Sequence, residues 1–163
     1  MNNEELQELV LRLMPQWQHR LAKPFKSLLA DGISPKVYHS MLILSESDAP
    51  LSMGELGSAM HMTKQQATKV VNRLIELELG QRSGDNSDRR IVRIELTDKA
   101  KAYIESFRIL QSEYYGRLFS GMEERDRTDF AEALRTLDRI FEKLPCVCTE
   151  KGGEECSKGS HKA

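Results

Sequence analysis

The chain has no run of residues long and apolar enough to cross a bilayer, which excludes a helical membrane protein and leaves no expectation of a membrane partner. Its opening, Met1-Asn2-Asn3-Glu4-Glu5, lacks the basic and apolar parts of a secretory leader, so the expected location is cytoplasmic. Cysteine is absent before Cys146, which confines any thiol chemistry to the last stretch of the chain. The four histidines are scattered, no nucleophile and base share a local motif, and no glycine-rich phosphate loop follows a strand. An enzyme is therefore not expected, and no cofactor is required. No segment repeats, and no low-complexity linker divides the chain before its tail. At 163 residues the sequence suits one domain with a real core, or a small unit extended by helices that add an oligomer contact.

What is present is mostly helical periodicity. Leu6, Leu9, Val10, Leu13, Trp17, Leu21, Phe25 and Leu28 keep helical spacing, interrupted by Pro15 and Pro24, so a kinked helix or two short ones are expected there. Asp31-Gly32 ends that segment. Ser34-Pro35 opens the next helix, which carries Val37, Tyr38, Met41, Leu42 and Leu44 and stops at Asp48-Ala49-Pro50. Near the other end, Thr97 caps a long helix with the stripe Ala100, Tyr103, Ile104, Phe107, Leu110, Tyr114 and Leu118. Gly121 breaks it, and a last helix from about Glu123 carries Phe130, Leu134, Leu137, Ile140, Phe141 and Leu144.

Between these lies the stretch around which the chain is organised. Ser52 can cap a short helix with Met53, Leu56 and Met60 as its apolar stripe. Only His61 and Met62 then separate it from Thr63, the expected N-cap of a second helix. One face of that second helix, Ala67, Val71, Leu74 and then Leu77 or Glu78, is committed to packing. The other is Lys64, Gln65, Gln66, Thr68, Lys69, Asn72 and Arg73, with no acid before Glu76. Amide side chains can pair with adenine edges, and lysine and arginine can read guanine or hold phosphate. Asn72 and Arg73 are expected to contact phosphate or to support the helix. A polar face alone is usually just solvated; the short turn and the preceding helix shift the reading toward a helix-turn-helix that enters the major groove of double-stranded DNA.

After Leu79 the period changes from helical to alternating. Val92, Ile94 and Leu96 face one way and Arg93 and Glu95 the other, across a turn rich in Ser, Gly, Asp and Asn. The hairpin tip then projects Arg89 and Arg90, suited to a narrow minor groove, with Asp88 able to fix a guanidinium by a charge-assisted pair. Taken alone, these three residues would read as a surface ion pair. The net charge of −1 conceals a polarity: residues 63–93 hold seven basic and four acidic side chains, +3, which leaves −4 elsewhere.

Thr63 to Leu74, then Asp88-Arg89-Arg90, then Leu96-Thr97-Asp98-Lys99-Ala100, resemble the MarR family of bacterial transcription regulators. The resemblance covers roughly residues 4–144. It implies a mostly α fold with a small antiparallel β wing, a winged helix-turn-helix plus N- and C-terminal dimerisation helices. The expected units are residues 1–47 for N-terminal scaffold and dimerisation, 48–97 for the DNA-binding lobe, 98–144 for the dimerisation helices, and 145–163 for a polar tail. By the resemblance, Asp88 and Arg90 fill the wing's Asp-x-Arg motif. Many relatives place glycine where this chain has Glu78, so the exit from the second helix is expected to be displaced or tighter. The implied function is a homodimeric regulator, a repressor of a palindromic operator, with affinity open to a small aromatic effector. The candidate effector residues are Trp17 and His39, although core packing for Trp17 and Phe25 and an ordinary, partly exposed His39 are the preferred reading.

The tail holds Cys146, Cys148, Cys156 and His161, a chemically complete set for tetrahedral zinc at an unfamiliar spacing. A flexible polar end ranks first there, and metal or redox sensing second. Two alternatives to the regulator reading are a thiol- or metal-responsive sensor acting through those cysteines and a winged-helix protein-interaction module that does not bind DNA.

Overall fold

The computed structural model describes residues 2–84 and 92–144. Five helix starts fall where a side-chain oxygen accepts from an orphan backbone N–H three residues on. Asn2 caps α1 (Asn3–Trp17), Ser34 caps α3 (Pro35–Glu46), and Ser52 caps α4 (Met53–Ala59). Thr63 caps α5 (Lys64–Glu76) and Thr97 caps α6 (Asp98–Ser120), each through its hydroxyl. Gly121 ends α6 as expected, and α7 (Glu124–Phe141) follows.

Of the two expected proline interruptions, only the second is present. α1 runs straight through Pro15, whereas residues Gln18–Ala22 widen into a π turn before α2 (Lys23–Leu28). Pro24 supplies no N–H and its ring crowds the carbonyl four residues back, and a wider turn accommodates both.

The hairpin has one more strand than its sequence suggests. β1 (Leu51–Ser52) pairs antiparallel with β3 (Val92–Leu96), which pairs in turn with β2 (Gly80–Gly84), giving the order β1-β3-β2. Leu51 and Arg82 both lie opposite Ile94, on either side of it. The expected alternation of β3 holds at Ile94 and Leu96, which are buried, while Val92 emerges toward solvent.

The core forms where four elements meet. Met41 of α3, Leu56 of α4, Val71 and Leu74 of α5 and Ile94 of β3 are fully enclosed. Each such aliphatic side chain removed from water stabilises the fold by about 1.5–3 kcal/mol. An aromatic cluster extends this core toward the chain's ends: Phe25 of α2, Tyr38 of α3, and Tyr103 and Phe107 of α6 meet edge-on or stacked, with Tyr38 and Phe107 centroids 4.6 Å apart.

The terminal helices behave differently. α1 and α7 bury no residue at all. Leu6, Leu9, Val10, Leu13 and Trp17, read from their spacing as a packing face, stay roughly half exposed. The stripe on α6 is covered at Ala100, Ile104 and Phe107 and uncovered at Leu110. The preferred core assignment of Trp17 is therefore wrong for the single chain, where it is 43% exposed; Phe25 does pack against the core.

Candidate nucleic-acid interface

Both ends of the helix-turn-helix are shaped by the same local device. After α4, the His61 N–H donates to the Ser58 carbonyl (3.1 Å) and the Met62 N–H to the Gly57 carbonyl (2.8 Å). After α5, the Glu78 N–H donates to Ile75 (2.9 Å) and the Leu79 N–H to Leu74 (2.8 Å). These paired bonds are Schellman closures, which need a left-handed residue at the reversal. Glycine usually stands there; here His61 (φ 50°) and Glu78 (φ 59°) do. Met62 and Leu79 are thereby delivered into the core beside the helices they terminate.

The exit of α5 is thus regular and not displaced, contrary to the expectation drawn from the missing glycine. Its neighbours compensate. The Thr97 hydroxyl donates to the Glu78 carbonyl (2.7 Å), and the Lys99 ammonium donates to the Leu77 carbonyl (3.0 Å) and to the Glu78 carboxylate (2.8 Å). The lysine holds the Glu78 carboxyl below the usual carboxylate range.

α5 divides as its period implies. Ala67, Val70, Val71 and Leu74 are buried, and Lys64, Gln65, Lys69 and Asn72 are exposed on the other side. Gln66 and Thr68 lie half-buried at the margin, and the Thr68 hydroxyl donates back to the Lys64 carbonyl (2.8 Å). Among the described residues neither Lys64 nor Lys69 has an ion-pair partner. Two cations and two amides therefore sit on the open face, with Gln66 at its margin, of a helix whose own N-terminus carries partial positive charge, an arrangement that attracts phosphate.

Arg73 departs from this set. Its Nε donates to the Gly32 carbonyl (3.1 Å) and its Nη1 pairs with Glu76 Oε2 (3.1 Å), so the guanidinium is turned toward the loop between α2 and α3. Of its two expected roles, the geometry matches support of the helix.

The root of the wing is fixed by a second arginine that sequence reasoning did not single out. Arg93 Nη1 donates to the Pro50 carbonyl (3.0 Å) and to Glu55 Oε2 (3.3 Å), crossing from β3 to the start of α4. Glu55 also accepts from the Ser52 N–H (2.7 Å) while its own N–H donates to the Ser52 hydroxyl (3.2 Å), a reciprocal capping box. A signal was available, since Ser52 is followed three residues on by Glu55; the reach of Arg93 across 38 positions was not.

Three groups of expected site residues remain. Asp88, Arg89 and Arg90 at the wing tip lie outside the described residues, as do Cys146, Cys148, Cys156 and His161. Among the described residues no cluster of three or more His, Cys, Asp or Glu side chains could hold a metal. Trp17 and His39 are not brought together: Trp17 lines an apolar groove of about 1030 Å³ between α1 and α7, and His39 lies exposed on α3.

Comparison with known proteins agrees with this geometry. The MarR family model matches residues 33–92, from the loop before α3 to the start of β3. The chain is 26% identical over 140 residues to an uncharacterised HTH-type transcriptional regulator of Bacillus subtilis, YpoP, covering 82% of this chain and 94% of that one. It is 28% identical over 93 residues to a second from the same organism, YsmB, where the match covers 57% of this chain and 64% of that relative's length. In fold it is similar to Streptococcus pneumoniae FabT, a structure determined in complex with DNA, at a TM-score of 0.69 and 20% identity over 86% of this chain and 99% of that one. The resemblance to the MarR family read from the sequence is borne out over the matched stretch, and no helix among the described residues is long and apolar enough to cross a membrane.

Proposed function

We propose, with the match of residues 33–92 to the MarR family as premise, that this chain is a DNA-binding transcription regulator that works as a homodimer on an inverted-repeat operator and represses by occlusion. The observation that carries the reading is the face of α5. Lys64, Gln65, Lys69 and Asn72 are held open to solvent by a helix whose reverse side is locked into the core. Lys64 and Lys69 hold phosphate or read guanine, the amides Gln65 and Gln66 read adenine edges, and Asn72 contacts phosphate or supports the helix. Support for a dimer comes from α1 and α7, many of whose apolar residues stay largely uncovered among the described residues and whose shared groove is lined by Val10, Leu13, Met14, Leu134, Leu137 and Phe141. A second copy related by a two-fold axis would bury that face and place two reading helices about one DNA turn apart. Repression follows from mechanical economy, since excluding polymerase from a promoter needs only tight binding.

Selection of bound fragments from random duplex DNA by the full chain tests the reading. An enriched inverted repeat, with log affinity falling linearly as log salt rises, is the expected result. Absence of enrichment together with salt-insensitive binding would sink it.

A further inference from the structure

We propose that Arg73 is a positioning residue and not a DNA contact: through the Gly32 carbonyl it ties the reading helix α5 to the loop at residues 29–34, which Tyr103 ties in turn to α6. The inference rests on the DNA-binding reading above and assigns to that site the linkage that sets its position.

Three observations converge. First, the guanidinium is already occupied on two sides, by the Gly32 carbonyl at 3.1 Å and by Glu76 at 3.1 Å, on a helix whose lysines are left unpaired. Second, Gly32 is left-handed (φ 83°), and a side-chain carbon built on it would land on the Arg73 guanidinium, with a Leu77 methyl next to it. The loop is thus shaped so that the arginine can lie directly against its backbone. Third, the same loop is held from its other side. The Ala30 N–H donates to the Tyr103 hydroxyl (3.1 Å), and the Ile33 N–H donates to the Ala30 carbonyl (3.0 Å), closing the turn between the two anchors.

Tyr103 is itself fixed in α6 by stacking on Phe107 and by edge contact with Tyr38. A rigid path therefore runs from α6 through Tyr103, Ala30, Gly32 and Arg73 to the last turns of α5. α6 continues for several turns beyond the core, where its stripe is exposed at Leu110 and only half-buried at Tyr114 and Leu118. A change in how α6 and its neighbours pack shifts the loop, and the loop carries α5 with it. An exposed ion pair such as Arg73–Glu76 contributes little to stability, so the role of the guanidinium is to set direction. This is coupling through a discrete hydrogen-bonded element, and it predicts changes in position that deletion of a charge alone would not produce.

The test separates position from phosphate contact. On operator DNA, Arg73→Gln is expected to weaken binding by about two- to thirtyfold, with the slope of log affinity against log salt unchanged. Lys69→Gln, a phosphate contact, should lower that slope by about one. Gly32→Ala keeps every charge and should reproduce the Arg73→Gln loss, with no further loss in the double variant. Both should shift preference among inverted repeats whose half-sites differ by one base pair in spacing. Tyr103→Phe keeps the ring and removes only the hydroxyl; hydrogen exchange in the DNA-free protein should then quicken at residues 73–77. A slope that falls by about one in Arg73→Gln, a uniform loss with unchanged spacing preference, or unaltered exchange in Tyr103→Phe would each overturn the proposal. If the wild-type chain shows no salt-dependent duplex binding, the regulator reading fails, and the exchange measurement still decides the linkage.

Discussion

α5 and α1 are both amphipathic helices of similar length, 13 and 15 residues, yet their apolar sides have opposite fates. On α5, Val71 and Leu74 are wholly enclosed where the helix packs on α3, α4 and β2, and its fully exposed side chains are polar. On α1, Leu9, Val10, Leu13 and Met14 are 44–59% exposed, and α7 repeats the pattern at Ile140 and Phe141. Among the described residues, α5 completes its packing within the chain, while the apolar side of α1 stays largely uncovered. A contiguous exposed apolar surface of that kind marks an interaction site. On the proposed reading the difference separates two jobs: the reading helix is finished inside one chain, and the assembly surface is not.

The largest effect is expected from breaking the unfinished side. Leu13→Asp places a carboxylate on an apolar face that a second chain would have to desolvate, yet disturbs little in the single chain because Leu13 is already half exposed. Light scattering should show a monomer. Affinity for an inverted repeat should drop by about 10²–10⁴-fold, the advantage that linking two half-site contacts confers. The far-ultraviolet helical signal should persist. A variant that stays dimeric with intact affinity would remove α1 from the interface.

What could be read from the sequence and what could not follows the same division. Ser34, Ser52, Thr63 and Thr97 act on amides three residues away, so the starts of four helices were legible from local pattern. The faces of α5 and β3 were legible because burial within the chain imposes a period. The stripe on α1 was just as legible as a pattern, but periodicity says that a face is covered without saying by which chain. Its assignment to the core of the same chain was therefore wrong at Trp17. Contacts distant in sequence left no trace: Arg73 reaches back 41 positions to Gly32, and Ala30 reaches forward 73 to Tyr103. Glu78 misled for a different reason. A left-handed helix exit normally advertises itself by glycine, and here Thr97 and Lys99 supply from outside the stabilisation that glycine supplies by itself.

The finished side can be tested in the opposite sense. Leu74 is fully enclosed at the centre of the core, and Leu74→Ala should cost about 2–5 kcal/mol, read as a lowered midpoint in chemical denaturation. Folded Leu74→Ala protein should remain dimeric by light scattering, because the residue is remote from α1 and α7. Loss of the dimer without loss of stability would mean that the two regions are not separable in the way their burial implies.

The smallest expected effect lies at the wing root. The Glu55 carboxyl is held below its ordinary range, first by the Ser52 backbone N–H, then by the Ser52 hydroxyl and by Arg93. A carboxylate whose folded pKa is depressed stabilises the fold above its unfolded pKa, near 4.3, and that contribution is lost as pH falls through the folded value. Glu55→Gln keeps the shape of the cap without the charge, so it should unfold slightly more easily than the wild type at pH 7, by under about 1 kcal/mol because the side chain is half exposed and screened. The gap should close on acidification toward pH 3. Both Glu55 and its partners belong to the winged unit, so the same closing gap should survive in the Leu13→Asp background. If it appears only in the dimer, the wing root and the assembly surface are energetically joined, and the division drawn between α5 and α1 would have to be redrawn through β3.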